Sequence, residues 1–279
     1  MAARKSSTKY FEDTHSFDTI AEPEILRTIL RDDIFIFALP LAILCQFAHP
    51  ALAKGSYRHS NFSSRLEKRL RNTFRFCNVV LFGTQQEKQS IVSVIHRHHS
   101  RVKGAGYDAD DPELHRWTAA TMFMSILTVQ EEFIGKMPQS MKEALLQESA
   151  IFGSSLKMPP TMWPSTLDEF WKYWNHNIAT LEITPEARRL SQHILYPQNT
   201  PLWMSMGAPL MRLVTVNWLP DRLAREYSFQ PSTMSEHMYY QFALSIRVAY
   251  PLIPTVFKQR QHRFYMTDLQ QALKRLRRD

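Results

Sequence analysis

Apolar residues recur at three- and four-residue spacing through most of the chain, which predicts an all-α protein. Pro23 followed by Glu24 suits a first helical turn, and apolar positions run from there to Phe37. Pro40 should break or kink that helix, after which Leu41–Ala48 continues to His49-Pro50. A residue before proline is biased out of the α region, so His49 is expected at a helix end. His59 is expected in a turn over Tyr57–Ser60. Leu66–Phe82 reads as a helix with Leu66, Leu70 and Phe74 on one side, and Arg69 and Thr73 share a face. Within Ile91–Gly104, an apolar stripe of Ile91, Ile95 and Val102 puts His98 near its centre and His99 at its edge. His96 is expected to face away, and Gly104 to cap the helix.

Asp110-Asp111-Pro112-Glu113 is a helix start, with an acidic cap and proline at the first position. That helix should run through Trp117, Met124 and Val129 to about Ile134, in the core. Ser140-x-x-Glu143 and Thr166-x-x-Glu169 resemble capping boxes, Thr184 is a further cap, and Thr267-x-x-Gln270 should cap the last helix. No internal repeat or low-complexity linker interrupts the pattern. Residues 1–20 are expected to form a disordered tail, and residues 21–279 one large helical domain.

With 279 residues, 44% hydrophobic and 22% charged, the chain can bury a full core. Only 7 glycines, and no GxGxxG, GxxxxGK[ST] or GxSxG, argue against dehydrogenase, kinase and α/β-hydrolase chemistry. The net charge of +8 is partly terminal and has no zinc-finger spacing beside it, so a solvated basic surface is expected and no nucleic-acid partner. Cys45 and Cys77 read as reduced core thiols of an intracellular, cytoplasmic protein. Ile34–Ala48 is shorter than the ~20 residues a membrane span needs. Any membrane contact is therefore expected at the surface.

The chemistry rests on histidines in apolar, helix-forming sequence. Such an imidazole is either a satisfied core group or a metal or haem ligand, and the residues alone leave both open. A ferritin-like di-iron centre needs paired Glu-x-x-His motifs, and the one instance is Glu12–His15 in the tail. His96-x-His98-His99 makes a poor zinc site, because successive helical residues point in different directions.

Several ordered motifs then add to this reading. They are AHPALAKGSYRHSNF, RLRNT (Arg69–Thr73), HSRVKG (His99–Gly104), YDADDPEL, RWTAAT and FGSSLKMPP. From about Glu22 to about Tyr250 the chain resembles the DUF2236 family. That family includes the latex-clearing rubber oxygenases and the endoplasmic-reticulum-bound oxygenase of mycophenolic acid biosynthesis. The resemblance implies a helical cavity holding haem b. It also implies oxidative C=C cleavage with dioxygen as co-substrate, on an apolar isoprenoid- or polyketide-type small molecule of secondary metabolism.

The resemblance gives His99 the iron-ligand position, as the histidine of H-x-x-V-x-G, with His98 the alternative. Arg69 and Thr73 match two positions of the R-x-x-K-T stretch that serves the haem pocket, and Arg69 would also offset negative charge developing on dioxygen. Asn72 stands where the lysine would be, which favours an open or water-bound sixth iron position. His49 and His59 match family positions, with acid–base work and pocket orientation both open. Tyr107, Asp110 and Asp111 match too, but helix capping suffices to explain them. Two rival readings are a non-catalytic helical binding protein and a cofactor-free cyclase on the same fold.

Overall fold

The computed structural model describes residues 22–59, 66–198 and 200–276, and the expected N-terminal tail lies outside them. Fourteen α-helices among the described residues, with one two-residue hairpin, make the protein all-α. The first apolar stretch is not one helix. Helix α1 (Glu24–Leu30) ends before a 3-10 turn (Asp33–Phe37), and α2 (Ala38–Phe47) follows. The break falls at Asp32, whose carboxylate accepts from the Ile34 amide, and not at Pro40. Pro40 sits in the first turn of α2, where its missing N–H costs nothing. His59 is the last residue of α3 (Pro50–His59) and not part of a turn; Ser60 lies outside the described residues.

Helix α4 (Leu66–Phe82) has the expected bounds, and α5 (Gln85–His99) opens with a Thr84–Glu87 capping box. The chain then forms an antiparallel hairpin, β1 (Lys103–Gly104) with β2 (Tyr107–Asp108). Gly104 is therefore no helix cap. A Cβ there would lie 2.5 Å from the Tyr107 hydroxyl, so glycine is needed for the ring to lie across the strand. Helix α6 (Pro112–Val129) is capped by Asp111, which accepts from the Glu113 amide at 2.9 Å. It passes into a π-helical turn (Gln130–Ile134) that Gly135 ends at φ 147°.

The remaining helices are α7 (Gln139–Ser154), α8 (Leu167–Thr180), α9 (Pro185–Leu195), α10 (Leu202–Trp218), α11 (Asp221–Tyr227), α12 (Thr233–Ala249), α13 (Thr255–Lys258) and α14 (Arg260–Leu276). Thr166 and Thr184 cap α8 and α9 as expected. Ser140 does not cap α7, which starts one residue earlier after Pro138. Thr267 lies inside α14 and bonds back to the Arg263 carbonyl. The cap of α14 comes from far away: Asp33 accepts from the Gln261 and His262 amides at 2.8 and 3.1 Å. Glu148 of α7 does the same for α1, accepting from the Ile25 and Leu26 amides. These long-range carboxylates satisfy helix-end donors that local sequence leaves open.

Helix α6 packs between α2 and α7 at the centre of one continuous core. Trp117 is fully buried, stacks on Trp174 at 5.2 Å and donates to the Cys45 carbonyl at 3.0 Å. Tyr227 donates to the neighbouring Leu44 carbonyl at 2.8 Å, so two aromatic side chains bond the end of α2. Cys45 and Cys77 are free, and burial pushes both thiols up to about 12. Among the described residues no single helix is long and apolar enough to cross a membrane.

The Asp111 cap gives a simple test of how α6 is held. Asp111→Ala should lower stability by about 1 kcal/mol, read as a lower urea midpoint at unchanged slope. An unchanged midpoint would contradict the assigned role.

Candidate functional site

Four of the resembling segments meet at one end of α5 and α6. Helix α3 holds the hairpin: Lys54 donates to the Ala105 carbonyl at 2.7 Å, and the Tyr107 ring packs on Gly55, where a Cβ would come within 3.3 Å. The hairpin in turn connects the last turn of α5 to the first turn of α6. His99 ends α5, His115 opens α6, and their rings lie 5.9 Å apart. Asp110 sits between the hairpin and α6. The loop after α7 adds Lys157, whose Nζ approaches Asp110 Oδ2 at 3.4 Å.

The register of α5 settles which histidines face inward. Its buried positions are Lys88, Ile91, Val92 and His96, with His99 following on the same side. His98 is exposed, so the expectation that it lies on the stripe is corrected, and so is the expectation that His96 faces away. Val102 misled the stripe. It lies beyond the end of α5, where helical rotation no longer applies.

The cluster is short of hydrogen-bond partners. His96 Nε2, His99 Nδ1, His115 Nδ1 and Asp110 Oδ1 are buried without one. His115 Nε2 lies 2.8 Å from the Ala109 carbonyl, which makes Nε2 the donor and leaves Nδ1 as a bare lone pair. Burial drives His99 down to about 4, helped by repulsion from His115, and drives His96 to about 4, helped by Lys157. His115 is also held below its ordinary value, mainly by burial. At neutral pH these are uncharged imidazoles, the form that binds metal.

The shifts carry a stability consequence with a fixed sign. Below an ordinary value of 6.5 the unfolded chain protonates these imidazoles, while the folded chain resists until about 4. Stability is therefore full above about pH 6.5 and should fall as pH drops toward 4. His96→Gln, which cannot protonate in that range, should flatten the fall in a denaturant series at stepped pH. An unaltered slope would sink this assignment.

The other expected site residues are placed differently. His49 Nδ1 accepts from the Ala51 amide at 3.3 Å and so caps the start of α3. Its charged form is disfavoured by burial and partly restored by Asp111 and Glu113. His59 is exposed, with Nε2 2.9 Å from the Tyr107 hydroxyl. Arg69 is half-buried on α4, and burial lowers its pKa from the ordinary value. Thr73 donates to the Arg69 carbonyl at 3.0 Å, and Asn72 is exposed. Asp111 is the cap it was expected to be. Asp110 is not, because its carboxylate serves the lysines and the histidine cluster.

His115 and Lys157 belong to the site and were missed in the sequence. Both lie within or beside resembling motifs, His115 directly after YDADDPEL and Lys157 inside FGSSLKMPP. Lys157 adopts a left-handed backbone, φ 74°, which a lysine reaches only at a cost.

Among the described residues no three His, Cys, Asp or Glu side chains converge as a metal-binding set. A haem brings its own equatorial nitrogens and asks the protein for one imidazole, so a half-buried, neutral His99 with an unpartnered Nδ1 fits that group. A cleft of about 280 Å³ beside Tyr196 and Arg212 and a cavity of about 60 Å³ beside Ser125 and Trp218 lie elsewhere, and His99 borders neither.

The chain is 23% identical over 228 residues to an uncharacterized protein of Mycobacterium bovis and to one of Mycobacterium tuberculosis. Each match covers 77% of this chain and 89% of the relative. No solved structure gives a significant match. The family model for the ER-bound oxygenase mpaB/B'/Rubber oxygenase, catalytic domain, matches residues 27–248, which include α2 to α11 and the whole histidine cluster. The chain belongs to this family of oxygenase catalytic domains.

Proposed function

We propose that the chain is a haem b-dependent oxygenase that cleaves a C=C bond of an apolar, isoprenoid- or polyketide-type substrate in secondary metabolism. The observation carrying this is the cluster of buried, uncharged imidazoles with bare nitrogens, built from the family's motif segments. When bound, haem would supply dioxygen activation, with one dioxygen consumed and two carbonyls formed per double bond.

In this reading His99 is the iron ligand, held by the end of α5. Burial and the neighbouring His115 hold its imidazole neutral, outweighing the opposite pull of the Asp110 carboxylate. His115 is itself fixed in one tautomer by the Ala109 carbonyl. Arg69 supplies a permanent positive charge in a half-buried setting, where donors act more strongly than in water. Thr73 positions the Arg69 backbone through its hydroxyl. His49 and His59 serve as positioning residues for α3 and the hairpin, since both are engaged with their own surroundings.

Turnover of an isoprenoid alkene, followed by dioxygen uptake and carbonyl products, tests the assignment of Arg69. Donors aimed at developing charge are worth ~3 kcal/mol, roughly a hundredfold in rate. Arg69→Ala should lose about that much while keeping near-normal haem content, and Arg69→Lys should recover part of it. If Arg69→Ala loses haem entirely, the arginine binds the cofactor or holds the fold, and its catalytic role is withdrawn.

A further inference from the structure

Between Glu236 and Asp268 the chain carries no carboxylate side chain, while Arg247, Lys258, Arg260 and Arg263 all fall in that stretch. The same stretch bares large apolar side chains. Leu252 is 80% exposed, Phe257 65% and Val256 60%. They sit where α12 gives way, through a 3-10 turn (Tyr250–Leu252), to α13 and α14. Bare apolar groups gathered in one place mark a contact surface.

This tip is ordered by its own bonds. The Ile253 amide donates to the Tyr250 carbonyl, the Phe257 amide to the Pro254 carbonyl, and Pro251 and Pro254 stiffen the turn. Asp33 anchors the start of α14 behind it. The cations wrap the apolar tip. Lys258 lies over the Tyr250 ring at 4.8 Å and reaches the Pro251 carbonyl, and Arg263 donates to the Val256 carbonyl. Arg260 is exposed.

We infer that this tip docks the protein on an anionic lipid surface. Leu252, Val256 and Phe257 enter the headgroup layer, and Lys258, Arg260 and Arg263 face the phosphates, while Arg247 stays with Glu132. The charge pattern chooses lipid over a second copy of the chain. A two-fold contact through this tip would set Lys258, Arg260 and Arg263 against their own copies, and among the described residues none of the three has a carboxylate within ion-pair distance, whereas Arg247 is already paired with Glu132. The tip begins where the family match ends, at residue 248, and the inference stands apart from the oxygenase reading.

Co-sedimentation of the full chain with lipid vesicles tests it. Phosphatidylcholine–phosphatidylglycerol vesicles should bind at least about tenfold more tightly than phosphatidylcholine alone, and less so in high salt. Leu252→Ser combined with Phe257→Ser should cut anionic binding by about tenfold or more, with helical content unchanged because both side chains are exposed. Arg260→Glu, which leaves the apolar side chains of the tip in place, should cut binding to anionic vesicles by roughly tenfold and leave neutral vesicles unaffected. The inference is overturned if the wild-type chain ignores both vesicles, or if the variants bind as the wild type does. It is also overturned if the wild type is a dimer that the serine pair dissociates and that binds no vesicle.

Discussion

His99→Ala is expected to abolish haem retention while leaving the helical circular dichroism spectrum intact. The imidazole is half-buried, its pKa is driven to about 4, and its buried Nδ1 has no partner, so the fold gains little from it. Removing it leaves a small void and relieves an unsatisfied polar atom, two effects that oppose each other in stability. The ligand, by contrast, is not replaced by the adjacent His98. His98 is exposed, so His98→Ala should leave haem content unchanged. His96 and His115 are close enough to the site to make informative controls. If His98→Ala loses haem and His99→Ala keeps it, the register of α5 is wrong and the ligand assignment fails with it.

Trp117→Ala should be the most damaging core substitution among those considered, lowering stability by about 3–5 kcal/mol. The indole is fully buried between α2 and α8, stacked on Trp174, and it bonds a carbonyl at the end of α2. Alanine would open a large cavity and leave the Cys45 carbonyl with only the Ala48 amide as donor. A loss of that size is a large share of the ~5–15 kcal/mol that holds a typical domain together. Trp117→Phe separates the two contributions, because it keeps most of the packing and removes only the donor. Its cost should be roughly 1–3 kcal/mol. Denaturant titration of both variants checks the order, and a phenylalanine variant as unstable as the alanine one would assign the effect to the hydrogen bond.

Local signals made much of the fold legible. Leu66–Phe82 has the bounds that its apolar spacing indicates, and Asp111, Thr166 and Thr184 cap as their positions suggest. The failures are equally physical. Asp33 and Glu148 cap helices more than a hundred residues away in sequence, and Arg75 pairs with Asp268 across α4 and α14 at 2.5 Å. No local pattern carries such information. The last helix was placed too late because Thr267 resembles a cap, although the actual donors are satisfied by Asp33. In α5 the signal existed and was misweighted. The Thr84–Glu87 box fixes the start of the helix, and counting from it puts His96 and His99 inward. His115 and Lys157 join the site only through the hairpin and the loop after α7, a convergence that spacing along the chain does not encode.

The central claim, that this is a haem protein with His99 on the iron, is most directly tested by the visible spectrum of the purified full chain. Expressed with ample haem supply, it should show a Soret band and about one iron-bound haem per chain. The band should vanish in His99→Ala and persist in His98→Ala. A colourless wild-type protein that also fails to take up added hemin would contradict the account.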